Sequence, residues 1–251
     1  MNGNIVVNTI VFNQLVTAGV KQWELFESVK SLGISKIEIR REWIVNFAEE
    51  MHKMKVEAAN NNIELLYSVP AALFTDNRLD TTGLVQYLNE AKSIGAKMVK
   101  FTVGDFEPSN NEALAHLKGI LQDRQVIVTV ENDQTAANGK AAALKTFLDC
   151  CKKNDVPVYC TYDIGNWCWV NENPVANVPK LAEYTKYIHL KDVAYQNGEP
   201  IVQSLDNGEV DWRTVLKMLP QNVLLGIEFP CGDQPLAVLK DALDKLADLS
   251  K

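Results

Sequence analysis

The feature that most constrains this chain is an alternation that runs from its first residues to its last. Eight short runs rich in Val, Ile, Thr or Tyr, at residues 5–11, 36–40, 63–68, 98–103, 126–131, 158–163, 187–190 and 223–228, are each followed by a longer amphipathic run. The short runs are nearly continuous in apolar character, as strands covered on both faces of a parallel sheet must be. The longer runs, at 21–32, 42–61, 81–94, 111–121, 140–154, 175–184, 212–218 and 235–249, predict helices. Gly33 and Gly95 each stand where a helix should stop, three residues before a strand begins. Eight strand–helix units in 251 residues, about 31 residues each, predict a single (β/α)8 TIM barrel spanning 1–251. An open doubly wound sheet is the competing architecture, but no GxGxxG follows the first strand and no Walker-type phosphate loop is present. The one irregular connection, 193–210, is too long for a plain strand-to-helix loop and predicts a small hairpin.

Composition removes several function classes. Lys plus Arg is 25 against 32 Asp plus Glu, a formal net charge of −7, which argues against a nucleic-acid or anionic-membrane partner. No apolar run reaches the length of a membrane span, and no Lys or Arg precedes the apolar stretch at the N-terminus as a secretory signal requires. Five Cys is an odd number with two adjacent, Cys150 and Cys151, which predicts reduced thiols and a cytoplasmic protein rather than a disulfide framework.

Active sites of such barrels are built at the C-terminal ends of the strands. Four consecutive strands end there on a potential metal ligand: Glu131 in VIVTVE, Asp163 in VYCTYD, His189 in YIHLKD and Glu228 in VLLGIE. Their separations of 32, 26 and 39 residues are each about one βα unit, so they belong to neighbouring strands. Any one of them alone reads as a helix cap, a turn residue or a core histidine. Three carboxylates gathered at one end without a cation would be electrostatically costly, so the set predicts a metal site. Its mixed O/N chemistry suits one divalent ion, Mn2+, Co2+, Mg2+ or Zn2+. His52 and His116 lie in helical patterns and are expected in solvent.

The ordered set Glu131 (VTVEN), Asp163 (YDIGN), His189 (IHLKD) and Glu228 (GIEFP) resembles the xylose isomerase-like barrels. That superfamily includes sugar phosphate isomerases and epimerases, ketose 3-epimerases, inosose dehydratase and endonuclease IV. The stretch Gly208–Glu209–Val210–Asp211–Trp212 and the second strand, Lys36 to Arg40, are similar to segments of the same superfamily. The resemblance implies that Glu131, Asp163, His189 and Glu228 bind one divalent metal, with Glu131 and Glu228 also the acid/base catalysts. It further implies a small polyhydroxylated carbonyl substrate, isomerised or epimerised by proton transfer through an enediolate. Members of the superfamily pair through helices near the C-terminal end, so a homo-oligomer is compatible with the resemblance. An inosose dehydratase-like lyase and a non-catalytic sugar-binding barrel are the alternatives. Three histidines are too few for the zinc cluster of endonuclease IV. The chain departs from many members at Asn166, where they carry a histidine; asparagine can hold a hydroxyl but cannot shuttle a proton.

The strand-end positions outside the four ligands are expected to contact substrate. These are Glu38 and Arg41 on the second strand, Asn8 on the first, Tyr67 on the third and Lys100 on the fourth, with Asn166, Trp167 and Lys191 beside the ligands. Lys191 has Asp192 as an alternative partner, and Lys100, buried in a barrel, would need an anion such as Glu131 or Glu38. Cys231, Gly232 and Asp233 open the last helix, either as an ordinary cap or as backbone donors to an anion.

Overall fold

The computed structural model describes residues 2–249. Eight parallel strands form the barrel: β1 (Ile5–Asn8), β2 (Lys36–Arg40), β3 (Glu64–Thr75), β4 (Met98–Gly104), β5 (Ile127–Glu131), β6 (Val158–Asp163), β7 (Thr185–Leu190) and β8 (Leu224–Ile227). Each pairs with the next, β8 pairs with β1, and the sheet closes with no free edge among them. The helices that follow them are α1 (Phe26–Ser31), α2 (Phe47–Asn61), α3 (Thr81–Ile94), α4 (Asn111–Leu121), α5 (Ala141–Lys153), α6 (Pro174–Leu181), α7 (Trp212–Met218) and α8 (Pro235–Asp248). The expected TIM barrel is therefore the observed fold, and among the described residues no helix is long and apolar enough to cross a membrane.

Local chemistry sets the helix ends. Asp80, Asn110, Asn173 and Asp211 each accept a backbone N–H three residues on, opening α3, α4, α6 and α7. Gly95 closes α3 in the left-handed region at φ 75°, as its place in the sequence predicted. The expected hairpin is present as Asp192–Gln196 paired with Glu199–Gln203. β3 runs seven residues past its expected end because a register irregularity between Ser68 and Ala72 carries the strand over Pro70. The first helix is shorter than expected, starting as a 3-10 turn at Gln22–Leu25.

Strand alternation divides the barrel in two. Outward residues such as Ile37, Leu65, Val99, Val130 and Ile188 join the helices in one large apolar core. Inside, Val6, Leu66, Met98 and Tyr187 form a separate small cluster. Two residues further along the same strands, the inward positions become Asn8, Ser68, Lys100 and His189, all buried. Over one strand repeat the interior thus passes from hydrocarbon to ionic groups. Tyr187 fits only because β8 carries Gly226 beside it: a Cβ there would lie 2.2 Å from the Tyr187 hydroxyl.

Candidate functional site

The ionic layer begins where the strand register puts it. Asp163 is in register with His189, Glu131 with Thr161, and Gly226, two residues before Glu228, with His189. Glu131, Asp163, His189 and Glu228 each offer a ligand atom, and these atoms all lie within 4.8 Å of one another. Every one of the four residues is buried.

Asp163 is held by its own turn. Its Oδ1 accepts the backbone N–H of Gly165 (2.9 Å) and of Asn166 (2.8 Å), and Asn132 ties its main chain to the end of β5 through bonds of 2.9 and 3.0 Å. Its Oδ2 is buried and faces the cluster, where the Lys191 ammonium stands 2.7 Å from it. Three carboxylates and an imidazole whose ligand atoms lie within 4.8 Å of one another fit a divalent cation, in donor type and in proximity.

Side-chain cations also enter this layer. Lys191 Nζ lies 2.7 Å from Asp163 Oδ2 and 2.7 Å from Glu228 Oε2, bridging two of the four candidate ligands. Its stem passes over Gly165, where a Cβ would come within 2.5 Å of Lys191 Cγ. Lys100 Nζ is 2.7 Å from Glu131 Oε2, the anionic partner its burial required. Arg40 Nη1 is 3.2 Å from Glu228 Oε1, with its guanidinium 5.5 Å from the centre of the Trp43 ring. His189 Nδ1 is 2.6 Å from Glu131 Oε1 and 3.3 Å from Glu228 Oε2, while its Nε2 is 2.9 Å from Glu38 Oε2.

These contacts set the ionisation states. Burial works against every charge here, and the partners outweigh it at most sites. Against burial, Lys100 and His189 hold Glu131 at about 2. Glu228 is held well below the usual carboxylate range, where burial is overcome by His189 and Lys191. Burial lowers His189, but Glu228, Glu38 and Glu131 together raise it well above the ordinary histidine value. Asp163 is the exception: burial, reinforced by Glu228 and Glu131, pushes it up to about 7 in spite of Lys191.

Several expected substrate contacts are placed elsewhere. Glu38 lies beneath the cluster, 1% exposed, and accepts from Asn8 Nδ2 (2.7 Å) and the Tyr187 hydroxyl (3.0 Å) as well as facing His189. It orients the imidazole so that Nδ1 points at the carboxylates. Tyr67 is not in the cluster: one strand position from the inward Leu66, it points outward and donates to Glu90 Oε2 at 2.8 Å. Arg41 leaves the barrel for the same carboxylate. Trp167 is fully buried against Tyr162, ring centroids 5.4 Å apart, and fills core rather than lining the site. Asn166 does border the cluster. Its Nδ2 donates to Asn132 O at 2.9 Å, and its Oδ1 accepts from Gln134 (3.1 Å) and Lys191 (3.3 Å). Asp192 is not the partner of Lys191: it accepts the backbone N–H of Val193, Gly208 and Val210 at 2.8–3.0 Å, pinning the hairpin to the segment that Asp211 caps. His52 and His116 are exposed, and all five cysteines are free thiols.

Sequence reasoning missed Arg40 and Tyr187. The signal for both was available: with Glu38 and His189 inward, period two puts Arg40 and Tyr187 inward as well.

No family model matches the chain, and no curated protein matches it in sequence. Solved structures match over nearly the whole length at low identity. A probable 3-DHS dehydratase involved in petrobactin synthesis from Bacillus anthracis is 12% identical, covering 97% of this chain and 98% of that one, with a TM-score of 0.70. The IOLI protein, solved with a zinc atom, is 14% identical over 98% of this chain and 97% of that one, TM-score 0.72. An L-ribulose 3-epimerase is 13% identical over 98% of this chain and 94% of that one, TM-score 0.69. Together with the closed eight-stranded parallel sheet, these likenesses give the chain the fold of the xylose isomerase-like TIM barrels.

Proposed function

We propose that this chain is a divalent-metal-dependent isomerase or epimerase of a small sugar or related polyhydroxylated carbonyl compound, acting by proton transfer. One observation carries the reading: Glu131, Asp163, His189 and Glu228, from four consecutive strands, gather within 4.8 Å at the end of the barrel where active sites are built. The IOLI protein of the same fold was solved with zinc, and an L-ribulose 3-epimerase shares the fold, which supports the metal and the reaction class.

Glu131, Asp163, His189 and Glu228 would hold the ion. Bound there, a divalent cation supplies Lewis acidity, which weakens the C–H bond beside a substrate carbonyl. Glu131 and Glu228 would be the bases for that proton. Its return to the neighbouring carbon gives isomerisation; its return to the opposite face by the second glutamate gives epimerisation. Glu131 at about 2 is a weak base while Lys100 pairs with it. Its work as a base therefore requires the ammonium to turn away, toward substrate. Asn166, fixed by Asn132 and bordering Lys191, would hold a substrate hydroxyl without exchanging protons.

A lyase is the second reading, favoured by the dehydratase of the same fold and by the Lys191 ammonium, which could protonate a departing hydroxyl.

The test is reconstitution with Mn2+ after chelation, elemental analysis, and incubation with ketoses in D2O. About one ion per chain, deuterium at the carbon beside the carbonyl, and loss of exchange in Glu131→Gln are expected. Loss of water from the product would select the lyase. Failure to bind any divalent ion would end the metal reading.

A further inference from the structure

The neighbours of the four candidate ligands show which atom each has left for a metal ion. Asp163 Oδ1 is committed to the backbone N–H groups of Gly165 and Asn166, at 2.9 and 2.8 Å, which leaves Oδ2. Glu228 Oε1 faces Arg40 Nη1 at 3.2 Å and accepts from Asn8 Nδ2 at 3.5 Å, which leaves Oε2. Glu131 Oε2 pairs with Lys100, which leaves Oε1. His189 turns Nε2 to Glu38, which leaves Nδ1, 2.6 Å from Glu131 Oε1, 3.3 Å from Glu228 Oε2 and 3.9 Å from Asp163 Oδ2. Two of these four atoms are the oxygens that the Lys191 ammonium holds, at 2.7 Å each. Lys100 touches only an oxygen outside the set. Two cations sharing one pair of carboxylate oxygens in a buried layer repel strongly, so the ammonium and a divalent ion exclude each other there.

The fold also fixes where the ammonium goes instead. Lys191 is buried, and its stem lies against Gly165, where a Cβ would come 2.5 Å from Lys191 Cγ and 2.9 Å from its Cδ. Only the end of the side chain is free to turn. Asn166 Oδ1 already stands 3.3 Å from Nζ and is not one of the four ligand atoms. That oxygen is held in place from both sides: Asn166 Nδ2 donates to Asn132 O at 2.9 Å, and Gln134 donates to Oδ1 itself at 3.1 Å. We infer that Lys191 is a built-in competitor of the metal ion, and that metal uptake is an exchange in which its ammonium leaves Asp163 Oδ2 and Glu228 Oε2 and pivots onto Asn166 Oδ1. The inference rests on the metal-dependent reading above. The ammonium keeps its proton throughout and only changes partners. Two residues that are not ligands thereby set the affinity of the site: Lys191 by holding the oxygens, and Asn166, a positioning residue, by receiving the ammonium.

The test is calorimetric titration of the chelator-treated protein with MnCl2 at pH 8, for the wild type, Lys191→Met, Asn166→Ala and the double variant. We expect Lys191→Met to bind Mn2+ at least about tenfold more tightly than the wild type, and Asn166→Ala, which removes the receiving oxygen, at least about threefold more weakly. The double variant should match Lys191→Met within about twofold, because without an ammonium nothing has to be received. A merely structural role of Asn166 would carry its loss into both backgrounds. Lys191→Gln, which keeps a neutral donor over the two carboxylates, should show the same gain and replaces Lys191→Met if that variant does not fold. Equal or weaker Mn2+ binding by the Lys191 variants would overturn the inference and leave the metal-dependent reading standing. An equal loss from Asn166→Ala in both backgrounds would overturn the exchange onto Asn166. Absence of Mn2+ binding in every one of these proteins would instead overturn the metal-dependent reading, and the inference with it.

Discussion

Replacing Lys191 by Met keeps the length and bulk of the stem over Gly165 and removes only the ammonium. Each of its two contacts is 2.7 Å long. At an effective dielectric of ~20, each corresponds to about 6 kcal/mol of Coulomb attraction, before the several kcal/mol that burying each ion costs. What is left after that subtraction agrees with the ~3–5 kcal/mol typically lost when one partner of a buried ion pair is removed. Urea unfolding in EDTA, followed by circular dichroism, should therefore show Lys191→Met less stable by about 3–5 kcal/mol at pH 8. The loss should be smaller at pH 6. Asp163, already pushed up to about 7, loses its one nearby ammonium in the variant and binds its proton still more tightly when folded. A carboxyl whose folded pKa is raised further makes the variant's stability, relative to the wild type, fall as pH rises between those two values. Mn2+ should then restore more stability to the variant than to the wild type, since no ammonium has to move; saturation at 100 times Kd adds about 2.7 kcal/mol. A loss below about 1 kcal/mol in EDTA at pH 8, or a loss that shrinks as pH rises, would refute the role given to Lys191.

Two further perturbations probe the same interior. Glu131 is held at about 2 against an ordinary 4.5, so its ion pairs stabilise the fold fully above pH 4.5 and that contribution, on the order of 3 kcal/mol, disappears as pH falls toward 2; acid titration of Glu131→Gln in EDTA should lack that component, and an acid limb identical to the wild type would contradict it. Gly226→Ala puts a Cβ 2.2 Å from the Tyr187 hydroxyl inside a closed barrel and should cost about 1–3 kcal/mol; adding Tyr187→Phe should recover part of it in a double-mutant cycle, and strict additivity would show that the hydroxyl is not the obstacle.

Much of the architecture was legible because its signals are local. Strand runs 36–40 and 158–163 and helix runs 81–94, 111–121 and 212–218 coincide with β2, β6, α3, α4 and α7. Period two, period 3.6, Asx caps and Gly95 all act within a few residues. Where the expected third strand stopped at residue 68, the irregularity after Ser68 carries β3 past Pro70 to Thr75. Tyr67 and Arg41 were misplaced by taking proximity to a strand end as sufficient, when alternation along the strand decides which side chain faces inward.

By itself the sequence determined that eight strand–helix units would form one barrel and that Glu131, Asp163, His189 and Glu228 would end neighbouring strands. Only the tertiary structure decided the counter-ions. Glu38 meets His189 across 151 residues, Arg40 meets Glu228 across 188, and Lys191 bridges Asp163 and Glu228 instead of pairing with its neighbour Asp192. Such choices follow from closure of β8 onto β1 and from the inter-strand register, both properties of the whole sheet. The barrel wall places charged groups from distant strands within 3.2 Å of one another while Asp192, one residue from Lys191, faces the hairpin; distance across the closed interior, not separation along the chain, sets which charge each one feels.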